Sequence, residues 1–85
     1  MTKIEVLGPG CNNCARLEKN TREAIALAGI DAEITNVTDF AEIMAYGIMS
    51  TPGLVIDGKV VSHGRVPSAG DIAAWLRETA GAPAV

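Results

Sequence analysis

Cys11 and Cys14 are the only cysteines in the 85 residues, separated by two residues in Gly8-Pro9-Gly10-Cys11-Asn12-Asn13-Cys14. Two thiols at this spacing support three chemistries: a redox dithiol, a pair of soft-metal ligands, or two small core side chains. The spacing alone favours the first modestly over the second, with the incidental reading a distant third. A short apolar stretch, Ile4-Glu5-Val6-Leu7, precedes the turn, and a helix-patterned run begins near Asn12. The first helical turn has backbone N–H groups without intrahelical partners, and the helix dipole adds partial positive charge there. A thiolate at Cys11 is stabilised by that setting and becomes a nucleophile at neutral pH. Cys14, one turn further on, can close a disulfide with it by exchange. No Lys, Arg or His lies between Gly8 and Cys14, so the helix end is expected to lower the Cys11 pKa almost unaided. Asn12 and Asn13 are ordinary helix-start residues, with tuning of the sulfurs as the second reading.

The elements that must hold this turn follow from periodicity. The first strand sets Ile4 and Val6 on one face and Glu5 and Leu7 on the other. From 12 to 28 the small or apolar positions Cys14, Leu17, Thr21, Ala24, Ile25 and Ala28 form one helical face, and Gly29 stops the helix. Glu18 and Arg22, and Lys19 and Glu23, stand four apart and can pair on the outer face. A second strand runs from 31 to 37, with Ala32, Ile34 and Asn36 alternating against Glu33 and Thr35. Asp39 with Glu42 fits a capping box for a short helix carrying Phe40, Ile43 and Met44 inward, Tyr46 packing at its rim. Two β-rich runs, 53–56 and 59–62, flank Asp57-Gly58, a strong hairpin signal. Ser68 caps a last helix with Ile72, Trp75, Leu76 and Thr79 inward, and residues 81–85 form a tail expected to fray beyond a single domain of residues 1–80. The order β-α-β-α-β-β-α is that of an α/β protein: a right-handed crossover makes the first two strands parallel, and the hairpin completes a four-stranded mixed sheet with helices on both faces. In open sheets of this kind, ligands meet the carboxyl ends of the parallel strands, where Cys11 and Cys14 lie.

Composition narrows the field further. A net charge of −3 with Lys and Arg scattered leaves no basic stripe for phosphates, so nucleic acid is not expected as a partner. No apolar run approaches the ~18–20 residues that span a bilayer. Met1-Thr2-Lys3 leads directly into a strand without the pattern of a signal peptide, and the chain reads as cytosolic and soluble. In that compartment a CxxC pair is catalytic or metal-binding more often than structural.

Strand, CxxC and helix, followed by the crossover and by Thr51-Pro52 ahead of a strand-Asp57-Gly58-strand hairpin, resemble the thioredoxin fold. More narrowly the chain is similar to the small thioredoxin- and glutaredoxin-like redox-active disulfide proteins of bacteria and archaea, from about Lys3 to Leu76. The resemblance implies a protein disulfide oxidoreductase with no bound cofactor beyond a redox-active Cys11–Cys14 disulfide. Cys11 matches the exposed attacking thiol and Cys14 the shielded resolving thiol. Pro52 matches the cis-proline beside the disulfide, and Thr51 offers its backbone to an extended substrate segment, with Gly10 and Met49 in the same receiving surface. Met49 and Ile48 fit an apolar lip and ordinary packing equally. Implied partners are a disulfide-containing target protein and an upstream reductase, of thioredoxin-reductase or glutathione type, with the chain as a monomer. Two departures stand out: Pro9-Gly10 replaces the Trp that precedes CxxC in general thioredoxins, and Asn12-Asn13 replaces Gly-Pro. Comparable dithiols span roughly −270 to −120 mV.

Gly-x-Cys-x-x-Cys after a first strand also resembles the small copper-trafficking domains, whose thiolates hold Cu(I). Those domains run strand, helix, strand, strand, helix, strand, an order that differs after the second strand. A redox-inert interaction domain on the same scaffold is the remaining class. His63 could be a third metal ligand, but with no second Cys or His beside it in sequence it reads as a strand-end residue, and Arg65 as a solvated one.

Overall fold

Alternation along the first strand decides how the two faces of the sheet are filled. In the computed structural model, which describes residues 1–80, β1 (Thr2–Leu7) sends Ile4 and Val6 to one face and Leu7 to the other. Ile4 and Val6 join Leu54, Ile56 and the inward side chains of α1 (Asn12–Ala28) and α3 (Ala69–Ala80). Leu7 joins Val37, Ile43, Ile48 and Val55 beneath the short α2 (Phe40–Ala45). Each fully buried Leu or Ile side chain contributes about 1.5–3 kcal/mol by leaving water. Helices therefore cover both faces.

The remaining strands are β2 (Ala32–Val37), β3 (Gly53–Ile56) and β4 (Lys59–His63), ordered β2-β1-β3-β4. β1 pairs parallel with β2 and antiparallel with β3, and β3 pairs antiparallel with β4. Parallel pairing follows from the α1 crossover, antiparallel pairing from the hairpin. Asp57 and Gly58 have φ of 48° and 83°, the paired positive values of a primed turn matched to strand twist. The turn is tied back to β1, where the Lys3 N–H donates to Asp57 Oδ1 at 2.9 Å.

Helix α1 buries Cys14, Leu17, Thr21 and Ala24, while Ile25 and Ala28 are half-buried at its margin. The Thr21 hydroxyl, fully buried, donates to the Leu17 carbonyl at 2.7 Å, so its polarity is satisfied within the helix. Gly29 ends the helix with φ 67° and its N–H on the Ile25 carbonyl. Asn20 Nδ2 donates to the Pro67 carbonyl and Arg77 to the Leu27 carbonyl, pinning α3 and its lead-in to α1. Ser68 caps α3 by accepting the Asp71 N–H at 3.1 Å.

Three expected placements are corrected. In α2 only Ile43 is buried (1% exposed); Phe40 and Met44 are 67% and 55% exposed. With only six residues, α2 docks through a single row, and the space beneath it is filled by Tyr46 and Ile48. Asp39 does cap this helix, but through the Ala41 N–H, not the N3 position a capping box specifies. In α3 the inner stripe is Ile72, Ala73 and Leu76; Trp75 is half-buried and Thr79 exposed, because the stripe is set by packing against α1. On the edge strand β2, Asn36 faces solvent and donates to Glu18 Oε1 at 2.9 Å, crossing to α1. Residues 81–85, expected to fray, lie outside the described residues.

Candidate active site

The site is built where β1 runs out. Gly8 donates its N–H to the Val37 carbonyl, still in register with β2, and Gly10 then turns with φ 95°, a conformation that suits glycine. Cys11 follows in extended backbone (φ −74°, ψ 170°) as the N-cap of α1. Its Sγ takes the place of a capping oxygen and accepts the Cys14 N–H at 3.2 Å. Cys11 is exposed, Cys14 is 7% exposed, and both are free thiols.

These surroundings split the two thiols. The Cys11 pKa is lowered, first by a hydrogen bond from the Cys14 thiol; burial opposes this as the next-largest effect, and the N–H groups of Cys14, Asn13 and Cys11 each lower it further. The Cys14 pKa is raised, first by burial and then by donation of its S–H to Cys11. The expectation that the helix end acts nearly alone is thus corrected: the partner thiol is the largest cause and the first-turn N–H groups come after it. Chemically the pair is an accessible thiolate held against a shielded thiol.

Gly8 is the residue that sequence reading missed. A Cβ there would land inside the radius of Cys14 Sγ and 3.9 Å from Pro52 Cα. Gly8, Cys14 and Pro52 therefore meet, and only a residue without a side chain leaves room for the sulfur. In sequence Gly8 was visible only as a strand breaker; knowing that β1 ends directly beneath the second cysteine would have been needed.

The Thr51–Pro52 peptide is cis. Pro52 is buried and Thr51 half-buried, and the Pro52 carbonyl accepts the Gly64 N–H at 2.9 Å. Met49 projects at 94% exposure, whereas Ile48 is buried in the α2 core and belongs to packing, not to a lip. Asn12 and Asn13 are exposed, and the Asn13 side chain accepts from Arg16 and not from a sulfur donor. His63 ends β4, with Nδ1 3.4 Å from Ser50 Oγ, and Arg65 is exposed.

A cleft of about 180 Å³ opens beside the dithiol on the β2 side, lined by Gly8, Gly10, Cys11, Cys14, Glu18, Asn36 and Thr38, among others. Glu18 is also the partner of Arg22 that their spacing of four predicts, at 3.0 Å. Its spacing of four from Cys14 was the available signal; the contribution of Asn36 required the strand register. Cys11 and Cys14 are the residues here that could hold a soft cation, and no group of three His, Cys, Asp or Glu side chains is placed for one among the described residues.

Fold and dithiol together define a thioredoxin-like protein. The thioredoxin domain family model matches residues 2–77. A thioredoxin of Methanothermobacter thermautotrophicus is 44% identical over 72 residues, spanning 85% of this chain and 94% of that protein. One from Methanocaldococcus jannaschii is 38% identical over 77 residues, spanning 91% and 88%. The chain belongs to the thioredoxin domain family. It is a thiol–disulfide oxidoreductase.

Proposed function

We propose that Cys11 and Cys14 form the catalytic couple and that the substrate is a disulfide in another protein. The observation that carries this reading is the contrast between an exposed, acid-strengthened Cys11 and a buried, acid-weakened Cys14 one helical turn away. Cys11 thiolate attacks one sulfur of the target disulfide, forming a Cys11–target bond and releasing the target's other sulfur as a thiolate, which takes a proton. Cys14 then loses its proton and attacks Cys11 Sγ. The mixed disulfide breaks, the second target thiol leaves, and the Cys11–Cys14 disulfide holds the two electrons' worth of oxidation. An upstream dithiol or glutathione-linked reductase returns the pair to the thiol form. The reverse sequence oxidises a target dithiol.

Thr51, Pro52, Gly10 and Met49 form the receiving surface in this reading. Thr51 presents backbone groups beside the sulfurs, Pro52 and Gly10 approach closely without bulky side chains, and Met49 supplies an adaptable apolar contact. Asn12 and Asn13 start the helix whose N–H groups face Cys11. A cytoplasmic monomer is the setting proposed for this chemistry. The soft-metal alternative gains no support, since both the element order and the family are those of thioredoxins.

Reduction of insulin disulfides tests the proposal, with NADPH and thioredoxin reductase in one arm and glutathione with glutathione reductase in the other. Turnover in either arm is expected and also names the donor class; no turnover in both, with no reduction by chemically pre-reduced protein, would refute it.

A further inference from the structure

The cleft on the β2 side of the dithiol holds one ionisable side chain besides the cysteines, Glu18. Glu18 sits one helical turn beyond Cys14, and its carboxylate is clamped from two directions. Asn36 Nδ2 donates to Oε1 at 2.9 Å, and Arg22 donates to Oε2 at 3.1 and 3.0 Å. The clamp uses one of the two Asn36 N–H donors and leaves its amide oxygen as an acceptor, as the Thr38 hydroxyl oxygen also is. Glu18 Oε1, with one donor, keeps a lone pair, whereas Oε2 takes both Arg22 bonds. Arg22 reaches Oε2 from the solvent side and does not line the cleft, so no cation faces the space next to the sulfurs. What the cleft presents is a carboxylate held in place, its Arg22 partner on the solvent side, with two further acceptor oxygens beside it.

We propose that this cleft selects targets: it receives a basic side chain adjacent to the target cysteine, and Glu18 is the specificity-determining residue. The proposal rests on the oxidoreductase reading above. A Lys or Arg beside the target disulfide supplies a charged donor for Glu18 Oε1, the Asn36 amide oxygen and the Thr38 hydroxyl oxygen, and reaches them while the disulfide lies on Cys11. An acidic residue in the same place meets Glu18 with like charge in a partly enclosed space, where screening by solvent is weaker than on an open surface. About 180 Å³ admits the end of one such side chain. The hydrogen bonds from Asn36 and Arg22 hold the Glu18 carboxyl below the usual range, so the charge persists through mildly acidic pH.

Two disulfide-linked peptides, identical except for Lys or Glu next to the cysteine, test this with the chemically reduced protein. The Lys peptide is expected to show kcat/KM about fivefold higher, the size of a partly exposed charge pair, with the difference residing in KM. The ratio should fall towards one in Glu18→Gln, which keeps the acceptor for Asn36 but removes the charge, and should invert in Glu18→Lys. It should shrink at high salt, and Glu78→Gln on α3 should leave it at the wild-type value. Equal rates for the two peptides, or an undiminished ratio in Glu18→Gln, would overturn the assignment of Glu18 while leaving the oxidoreductase reading intact. Reduction of neither peptide, nor of insulin, would overturn both.

Discussion

The sulfur of Cys11 lies 3.2 Å from the backbone nitrogen of Cys14 and accepts its N–H, so the attacking group caps the very helix that carries its partner. The Cys14 side chain adds its own S–H to the same sulfur, and that donation is the largest single cause of the lowered Cys11 pKa. Helix start, nucleophile and resolving thiol are thus one hydrogen-bonded unit.

A pH profile of Cys11 alkylation follows from this. The rate should climb through a midpoint below that of an ordinary cysteine, and Cys14→Ala should move the midpoint upward by removing the Cys14 thiol donor. Cys14→Ser, which keeps an O–H donor, should move it less. In linkage terms, a lowered folded-state pKa stabilises the reduced protein above the ordinary cysteine pKa, and that contribution is lost as pH falls through the lowered one. Rates of iodoacetamide labelling read by mass spectrometry decide the matter; identical midpoints in all three proteins would remove the Cys14 thiol from the account.

The division of labour between the cysteines is read from single substitutions. Cys11→Ser should abolish insulin reduction, whereas Cys14→Ser should accumulate mixed disulfides with the target, visible on non-reducing gels. Accumulation on the Cys11 variant instead would reverse the roles.

Gly8→Ala tests the steric claim beneath the site. The added methyl meets Cys14 Sγ, and overpacking of this kind costs about 1–3 kcal/mol. Lower thermal stability and at least a tenfold slower disulfide reduction are expected, the second because the resolving sulfur must shift. Wild-type values for both would show that the sulfur has room to spare.

How far sequence carries is visible in these same residues. Cys11, Cys14 and the β-α-β-α-β-β-α order were legible because turn chemistry, caps and periodicity are local: Gly29, Asp57-Gly58 and Ser68 all punctuate as their types dictate. Gly8 and Asn36 were not legible as site residues, since their roles come from neighbours six and eighteen positions away. Phe40 and Met44 are exposed despite their apolar type, because a helix of under two turns has only one row to bury.

That correction carries its own test. Ile43→Ala should cost about 2–5 kcal/mol, as large-to-small core substitutions do. Phe40→Ser and Met44→Ser, on the exposed row, should each stay within about 0.5 kcal/mol of wild type by urea denaturation. Comparable losses at all three positions would place the outer row in the core after all.

Ser62 offers the opposite sign. The strand irregularity between Leu54 and Val55 leaves Val61 outside the β3–β4 pairing, and Ser62 Oγ is buried with no hydrogen-bond partner among the described residues. An unsatisfied buried hydroxyl costs about 1–3 kcal/mol. Ser62→Ala should therefore raise the melting temperature, by roughly 4–8 °C per kcal/mol recovered in a domain of this size. A lower melting temperature would show that the hydroxyl is satisfied in solution.

The central claim, that Cys11 and Cys14 act as one reversible two-electron couple, is tested most directly by titrating free thiols across a series of redox buffers while measuring bound metal. The account predicts that two thiols per chain disappear together, return on reduction, and do so without stoichiometric copper or zinc. Thiols that remain free in every oxidising buffer, or that are masked by one equivalent of metal, would contradict it.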